Sequence, residues 1–192
     1  DPEGQLASVR WRHSGLHNVA NAVAAMVAAS TVGVSLPAAA AALCEFIGVK
    51  RRMELIYQDS AISVYDDFAH HPTAIKTTLE GLRAKVGDET IVAIIEPRSA
   101  TMKMGLHQAA LSSSVAAADQ AIWYKSAAIN WDLQAVATHS AVPALVFSDI
   151  ESLLQTVRQS AAGAAKLHVV IMSNGGFEGF HQRLVAQLKG AG

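Results

Sequence analysis

Four polar clusters in this 192-residue chain combine residue types and spacings that could do chemistry. The densest is Asp66-Asp67-Phe68-Ala69-His70-His71-Pro72. A carboxylate there can accept from ribose hydroxyls, and the histidines can donate to phosphate or base. Asp and His are also common metal ligands, but this cluster itself contains no Cys and no His-x-x-x-His spacing. A polar loop with a helix cap is the plain alternative, which two adjacent histidines make less comfortable.

The second cluster, Glu96-Pro97-Arg98-Ser99-Ala100-Thr101-Met102-Lys103, brings positive charge. Arg98 can grip a carboxylate through two parallel N–H bonds, Lys103 adds a second cation, and Ser99 and Thr101 add hydroxyls. That suits an anionic substrate, although a solvated loop ahead of a helix accounts for the spacing equally well. In the third, His17-Asn18-x-x-Asn21, the two asparagines are three apart and share a helix face. Their amides carry the donors and acceptor that an adenine edge needs, while helix capping in solvent explains the same spacing. Ser173-Asn174-Gly175-Gly176 could offer backbone amides to an anion near a helix start, or be a tight turn.

These clusters need a scaffold, and the apolar pattern supplies one. Ala7 to Trp11 alternates like a short strand, Ser14 is placed to cap a helix over Leu16 to Ser30, and Pro37 opens a second helix towards Gly48. Met53–Asp59 and Ala61–Asp67 read as a hairpin, with a helix from Pro72 to Lys85. Strands and helices then alternate: Thr90–Ile95, Gly105–Ala118, Gln120–Tyr124, Trp131–Thr138, Ala144–Phe147, Asp149–Ala162, Leu167–Met172 and Phe177–Leu188. This predicts an α/β fold with a mostly parallel sheet covered by helices on both faces. Ligands of such sheets bind beyond the carboxyl ends of the strands, and the polar segments at 66–72, 96–103, 125–130 and 173–176 each follow a strand directly. A domain boundary is expected near Gly48 to Lys50.

Composition narrows the partners. With 51% hydrophobic and 16% charged residues and a net charge of -1, the chain is neither a disordered acidic tail nor a nucleic-acid surface. No apolar run reaches the about 18 residues of a membrane span. The single cysteine, Cys44, reads as a buried helical thiol compatible with a reducing cytoplasm. His107 and His168 read as structural residues and His139 as a loop residue. The sequence contains no P-loop, no Gly-x-Gly-x-x-Gly after a strand and no Gly-x-Ser-x-Gly elbow. Because it begins Asp1-Pro2-Glu3-Gly4, it is expected to be part of a longer protein.

In order and spacing, Gly15-Leu16-His17-Asn18-Val19-Ala20-Asn21-Ala22, Arg51-Arg52-Met53-Glu54 and Asp66 to Pro72 resemble the late motifs of the Mur ligases. The loops at 96–105 and 173–177 resemble the branch of that family that uses a murein tripeptide, rather than the branch that adds L-alanine. The resemblance implies that residues 1–49 end a central ATP-binding domain and residues 50–192 form the Rossmann-like carboxy-terminal domain. It implies a cytoplasmic reaction of cell-wall recycling. ATP, with Mg2+ held mainly outside this chain, phosphorylates the lactyl carboxylate of UDP-N-acetylmuramate, and the amine of L-alanyl-γ-D-glutamyl-meso-diaminopimelate attacks to form an amide.

By the same resemblance His17, Asn18 and Asn21 approach adenine, Arg52 faces the phosphates, Asp67 holds the ribose, and His70 and His71 lie beside the nucleotide or the reacting groups. Arg98, Ser99, Thr101 and Lys103, with Asn174 and Gly175, receive the peptide. Without a P-loop the chain is expected not to turn over by itself. The alternatives are an L-alanine-adding ligase part and a noncatalytic nucleotide- or peptide-binding module.

Overall fold

The computed structural model describes residues 4, 6–98, 108–163 and 165–190 and divides into two compact units, 1–49 and 50–192. In the first, helix α1 (Leu16–Ser30) packs on α2 (Leu36–Glu45). Alanine favours both helices, and Ala22, Ala39 and Ala40 are buried where their small side chains permit close approach. Pro37 lies in the first turn of α2, where its missing N–H costs nothing.

Three expectations fail in this unit. Residues 7–11 form no strand: a strand needs a ladder partner, and the Arg10 N–H goes instead to Cys44 Sγ at 3.3 Å. Cys44 is exposed rather than buried. The cap of α1 is Gly15 at φ 89°, and Ser14 contributes its carbonyl, which accepts from Asn18 Nδ2 at 2.7 Å.

The second unit is a six-stranded sheet ordered β1-β2-β6-β3-β4-β5. The strands are β1 (Glu54–Gln58), β2 (Ile62–Asp67), β3 (Thr90–Ile95), β4 (Gln120–Tyr124), β5 (Ala144–Phe147) and β6 (Leu167–Met172). Only β1 runs antiparallel, through a hairpin whose Asp59 Oδ1 accepts from the Ala61 and Ile62 amides. The remaining strands are parallel. All six residues of β6 are buried, as expected for a strand covered on both faces.

On one face α3 (Pro72–Val86), α4 (Gln108–Ser114) and α5 (Leu133–Thr138) enclose a core that includes Ile75, Leu79, Ile91, Trp123 and Val170. On the other, α6 (Ile150–Gly163) and α7 (Phe180–Lys189) enclose Ile94, Ile122, Leu153, Ile171 and Phe177. Helix α3 shows why the sequence folds this way. Ile75, Leu79 and Leu82 recur at helical spacing and are fully buried, whereas Lys76 and Glu80 form an i,i+4 pair outside. His168, in β6, bonds Tyr65 Oη at 3.3 Å and Glu89 Oε2 at 2.5 Å, the structural role expected of it. The predicted start of the helix at Gly105, and His107, lie outside the described residues.

Leu79→Ala should lose about 2–5 kcal/mol of unfolding free energy in urea melts, because the fully buried site cannot collapse. Lys76→Ala, on the solvent face of the same helix, should stay within about 0.5 kcal/mol.

Candidate functional site

Parallel pairing sets the site. Asp67 pairs with Met172 and Met172 with Ile95, so β2, β6 and β3 end in one row. Two backbone bonds extend it, Ser173 N–H to Asp67 O at 3.1 Å and Glu96 N–H to Met172 O at 3.0 Å. The segments at 66–71, 96–98 and 173–176 therefore leave the sheet side by side at its carboxyl edge.

The two aspartates of the first segment have different environments. Asp67 is 3% exposed; its Oδ1 accepts from the Ala69 amide at 2.7 Å and its Oδ2 from the Met53 amide at 2.8 Å. Burial raises its pKa, outweighing those bonds and the charge of Arg52. Asp66 is less enclosed. Arg51 Nε lies 3.3 Å from its Oδ2 and donates to its Oδ1 at 3.4 Å, whereas His181 Nε2, 3.1 Å from Oδ1, is in ion-pair but not hydrogen-bond geometry. Burial would raise Asp66 too, but His181 and Arg51 outweigh it and hold this carboxyl below its ordinary value.

The Arg51 to Met53 turn carries strain. Arg51 (φ 58°) and Met53 (φ 50°) are left-handed without being glycine. The turn is pinned by Arg51 N–H to Glu54 Oε2 at 2.9 Å, Phe68 N–H to Arg51 O at 2.8 Å, and the Met53–Asp67 bond. Arg52 is thereby exposed, with its guanidinium carbon 5.6 Å from the Phe68 ring centroid and that of Arg51 at 5.3 Å. His70 Nδ1 pairs with Phe68 O at 2.9 Å. His71 Nδ1 accepts from the Thr73 amide and caps α3, with Pro72 at the first helical position.

On the neighbouring segments Glu96 is 2% exposed. Ser173 Oγ donates to its Oε2 at 2.5 Å and accepts from the Gly175 amide at 3.0 Å, while Arg98 Nη1 stands 3.9 Å from its Oε1. The Arg98 side chain lies directly over Gly175: a Cβ there would meet its Cδ, Nε and Nη1 at 2.5–2.6 Å. Asn174 Oδ1 is buried without a hydrogen-bond partner among the described residues. The turn ends in left-handed Phe177 (φ 46°) and Glu178 (φ 48°), before α7 begins at Phe180. Phe177 is fully buried, and Glu178 accepts from Tyr124 Oη at 2.7 Å.

The structure thus brings Asp67, His70, His71 and Arg52 together on one side and Arg98, Asn174 and Gly175 on the other. Ser99, Thr101 and Lys103 lie outside the described residues. His17, Asn18 and Asn21 belong to the other unit, on the first turns of α1, with His17 and Asn21 exposed. Sequence reasoning gave no role to Arg51, Asp66, Glu96 or His181, which the structure places at this edge. For Arg51 and Asp66 the signal was adjacency to Arg52 and Asp67; for Glu96 it was position, one residue past a wholly apolar strand. His181 had none. The expected anion-binding turn at 173–176 is also different in detail, since its Gly175 amide is spent on Ser173. Among the described residues no three His, Cys, Asp or Glu side chains converge as a metal cage, and no helix is long and apolar enough to cross a membrane.

Residues 51–175 match the family described as Mur ligase, glutamate ligase domain, and the chain belongs to that family. Within it, the UDP-N-acetylmuramate--L-alanyl-gamma-D-glutamyl-meso-2,6-diaminoheptandioate ligase of Escherichia coli K12 is 43% identical over 182 residues, 94% of this chain and 39% of that protein. The ligase of the same name from Haemophilus influenzae is 38% identical over 96% of this chain and 41% of its own length. The crystal structure of a murein peptide ligase from Psychrobacter arcticus 273-4 superposes with a TM-score of 0.70 at 49% identity, covering 94% of this chain and 38% of that one. The chain therefore spans about two fifths of the length of the relatives it matches.

Asp66→Asn should cost on the order of 1–2 kcal/mol at neutral pH by stranding Arg51 and His181. Because the native Asp66 pKa lies below the ordinary 3.8, the charged form stabilises the fold above that value, and this contribution is lost as pH falls through the native pKa. Urea melts of both proteins from neutral to acid should show the gap closing; a constant gap would refute the assignment.

Proposed function

We propose that this chain forms one wall of an ATP-dependent ligase site that joins L-alanyl-γ-D-glutamyl-meso-diaminopimelate to UDP-N-acetylmuramate in cytoplasmic peptidoglycan recycling. The observation that carries this reading is the common carboxyl edge, where Asp67, His70 and His71 lie at the end of β2, the turn bearing Arg52 is bonded to Asp67, and Arg98, after β3, lies over Gly175, after β6. In this reading residues 1–49 end the central ATP-binding domain and residues 50–192 are the carboxy-terminal domain.

The residues present fit a nucleotide and an anionic peptide. Arg52 is exposed and set against an aromatic ring, and among the described residues it makes no ion pair that phosphate would have to displace. Both oxygens of Asp67 already bind amides, so ribose contact would use their second lone pairs. His17, Asn18 and Asn21 serve the adenine, and His70 and His71 serve the nucleotide or the reacting groups. Arg98, with Ser99, Thr101, Lys103, Asn174 and Gly175, takes the carboxylates of the incoming peptide. ATP supplies the phosphoryl group that activates the lactyl carboxylate, and Mg2+ is assigned to the remainder of the longer protein. Such chemistry needs positioning and charge neutralisation more than covalent help from the protein, so a closing domain suffices to contribute.

Calorimetry tests the peptide half. The chain should bind the tripeptide weakly, and Arg98→Ala should weaken that by about tenfold or more through loss of a charge-assisted contact. A chain that binds nucleotide but ignores the tripeptide would be a nucleotide module instead. Ligation by the isolated chain would overturn the wall role.

A further inference from the structure

We infer that Arg51 is a positioning residue for the peptide side of the site, an inference that rests on the reading above. Its guanidinium spans the two halves. Nε faces Asp66 on the β2 end, while Nη2 donates to Ser173 O at 2.5 Å and Gly175 O at 3.0 Å on the turn after β6. Its left-handed backbone is what aims it there, and its own N–H and C=O are fixed by Glu54 and Phe68. The side chain is half-buried, so it is placed to brace rather than to meet ligand.

The Ser173 to Gly175 turn is the floor beneath Arg98. Gly175 has no side chain to hold its place, and the Arg98 side chain fills the space a Cβ would take. Two carbonyls drawn onto one guanidinium set the height of that floor. Ser173 Oγ, bonded to Glu96 and to the Gly175 amide, sets its tilt. Arg51 therefore ties the place of Arg98 to the strand end that carries Asp67, His70 and His71. A lysine keeps the charge opposite Asp66, but one ammonium on a flexible stem cannot reproduce this planar three-acceptor bridge.

The test is Arg51→Lys in the whole 192-residue chain, read by nitrogen-15 NMR and calorimetry. The Gly175 amide and Arg98 Nε–Hε resonances should shift or broaden, while amides of Ile91 to Ile94 stay in place. Tripeptide affinity should fall about tenfold or more, as expected when a charge-assisted contact is weakened. Unchanged Gly175 and Arg98 resonances would overturn the inference. Failure of the wild-type chain to bind tripeptide would instead strike the functional reading, and the resonances would still decide the bracing. If Arg51→Lys loses its cooperative melt, the wild type decides: the Arg51 Nη protons should be resolved and slow to exchange, and a single averaged signal would contradict the bridge.

Discussion

The in-register ending of three parallel strands is the constraint on which the rest depends. Because Asp67, Met172 and Ile95 share one row, whatever polar residue follows each must emerge at the same edge. Parallel strands cannot be joined by tight hairpins, so each needs a crossover helix, and the helices cover both faces. The wholly apolar β6 is the result: it can be central only because α3 and α4 pack over one side and α6 and α7 over the other. A strand buried on both faces leaves its polar work to its ends.

At that edge the backbone carries much of the organisation. Two left-handed residues, Arg51 and Met53, turn the chain so that one arginine points inward to carbonyls and the next lies exposed. The neighbouring aspartates divide labour in the same way. Asp67 is sealed against two amides and pushed towards neutrality by burial, while Asp66 stays charged between Arg51 and His181. Left-handed Phe177 and Glu178 close the opposite turn, held by a fully buried ring and the Tyr124–Glu178 bond. Strain of this kind persists only where surrounding contacts over-determine it.

The sheet was legible in the sequence because its signals are local. Runs such as Ile91-Val92-Ala93-Ile94-Ile95 announce buried strands, and Pro72 after two histidines announces a helix start. The carboxyl-edge rule then placed the described segments 66–71, 96–98 and 173–176 from connectivity alone. What was not legible depends on pairs far apart in the chain. His181 meets Asp66 and Ser173 meets Glu96 only after the fold is made. Residues 7–11 alternate like a strand yet find no ladder, and Cys44 lies in an apolar run yet on an exposed helix face. Pattern reports which residues could be buried; partners decide which are.

The central claim is that the carboxyl edge of the sheet is the binding wall for the incoming peptide. Amide chemical-shift mapping of the chain with L-alanyl-γ-D-glutamyl-meso-diaminopimelate tests it most directly. The account predicts perturbations concentrated at Arg98, Asn174 and Gly175, fading along β3 and β6 towards their amino ends. Perturbations centred instead on the α6–α7 groove at Glu151, Gln155 and Arg158, a cavity of about 580 Å³, or at the opposite edge around Asp59 and Lys166, would contradict it.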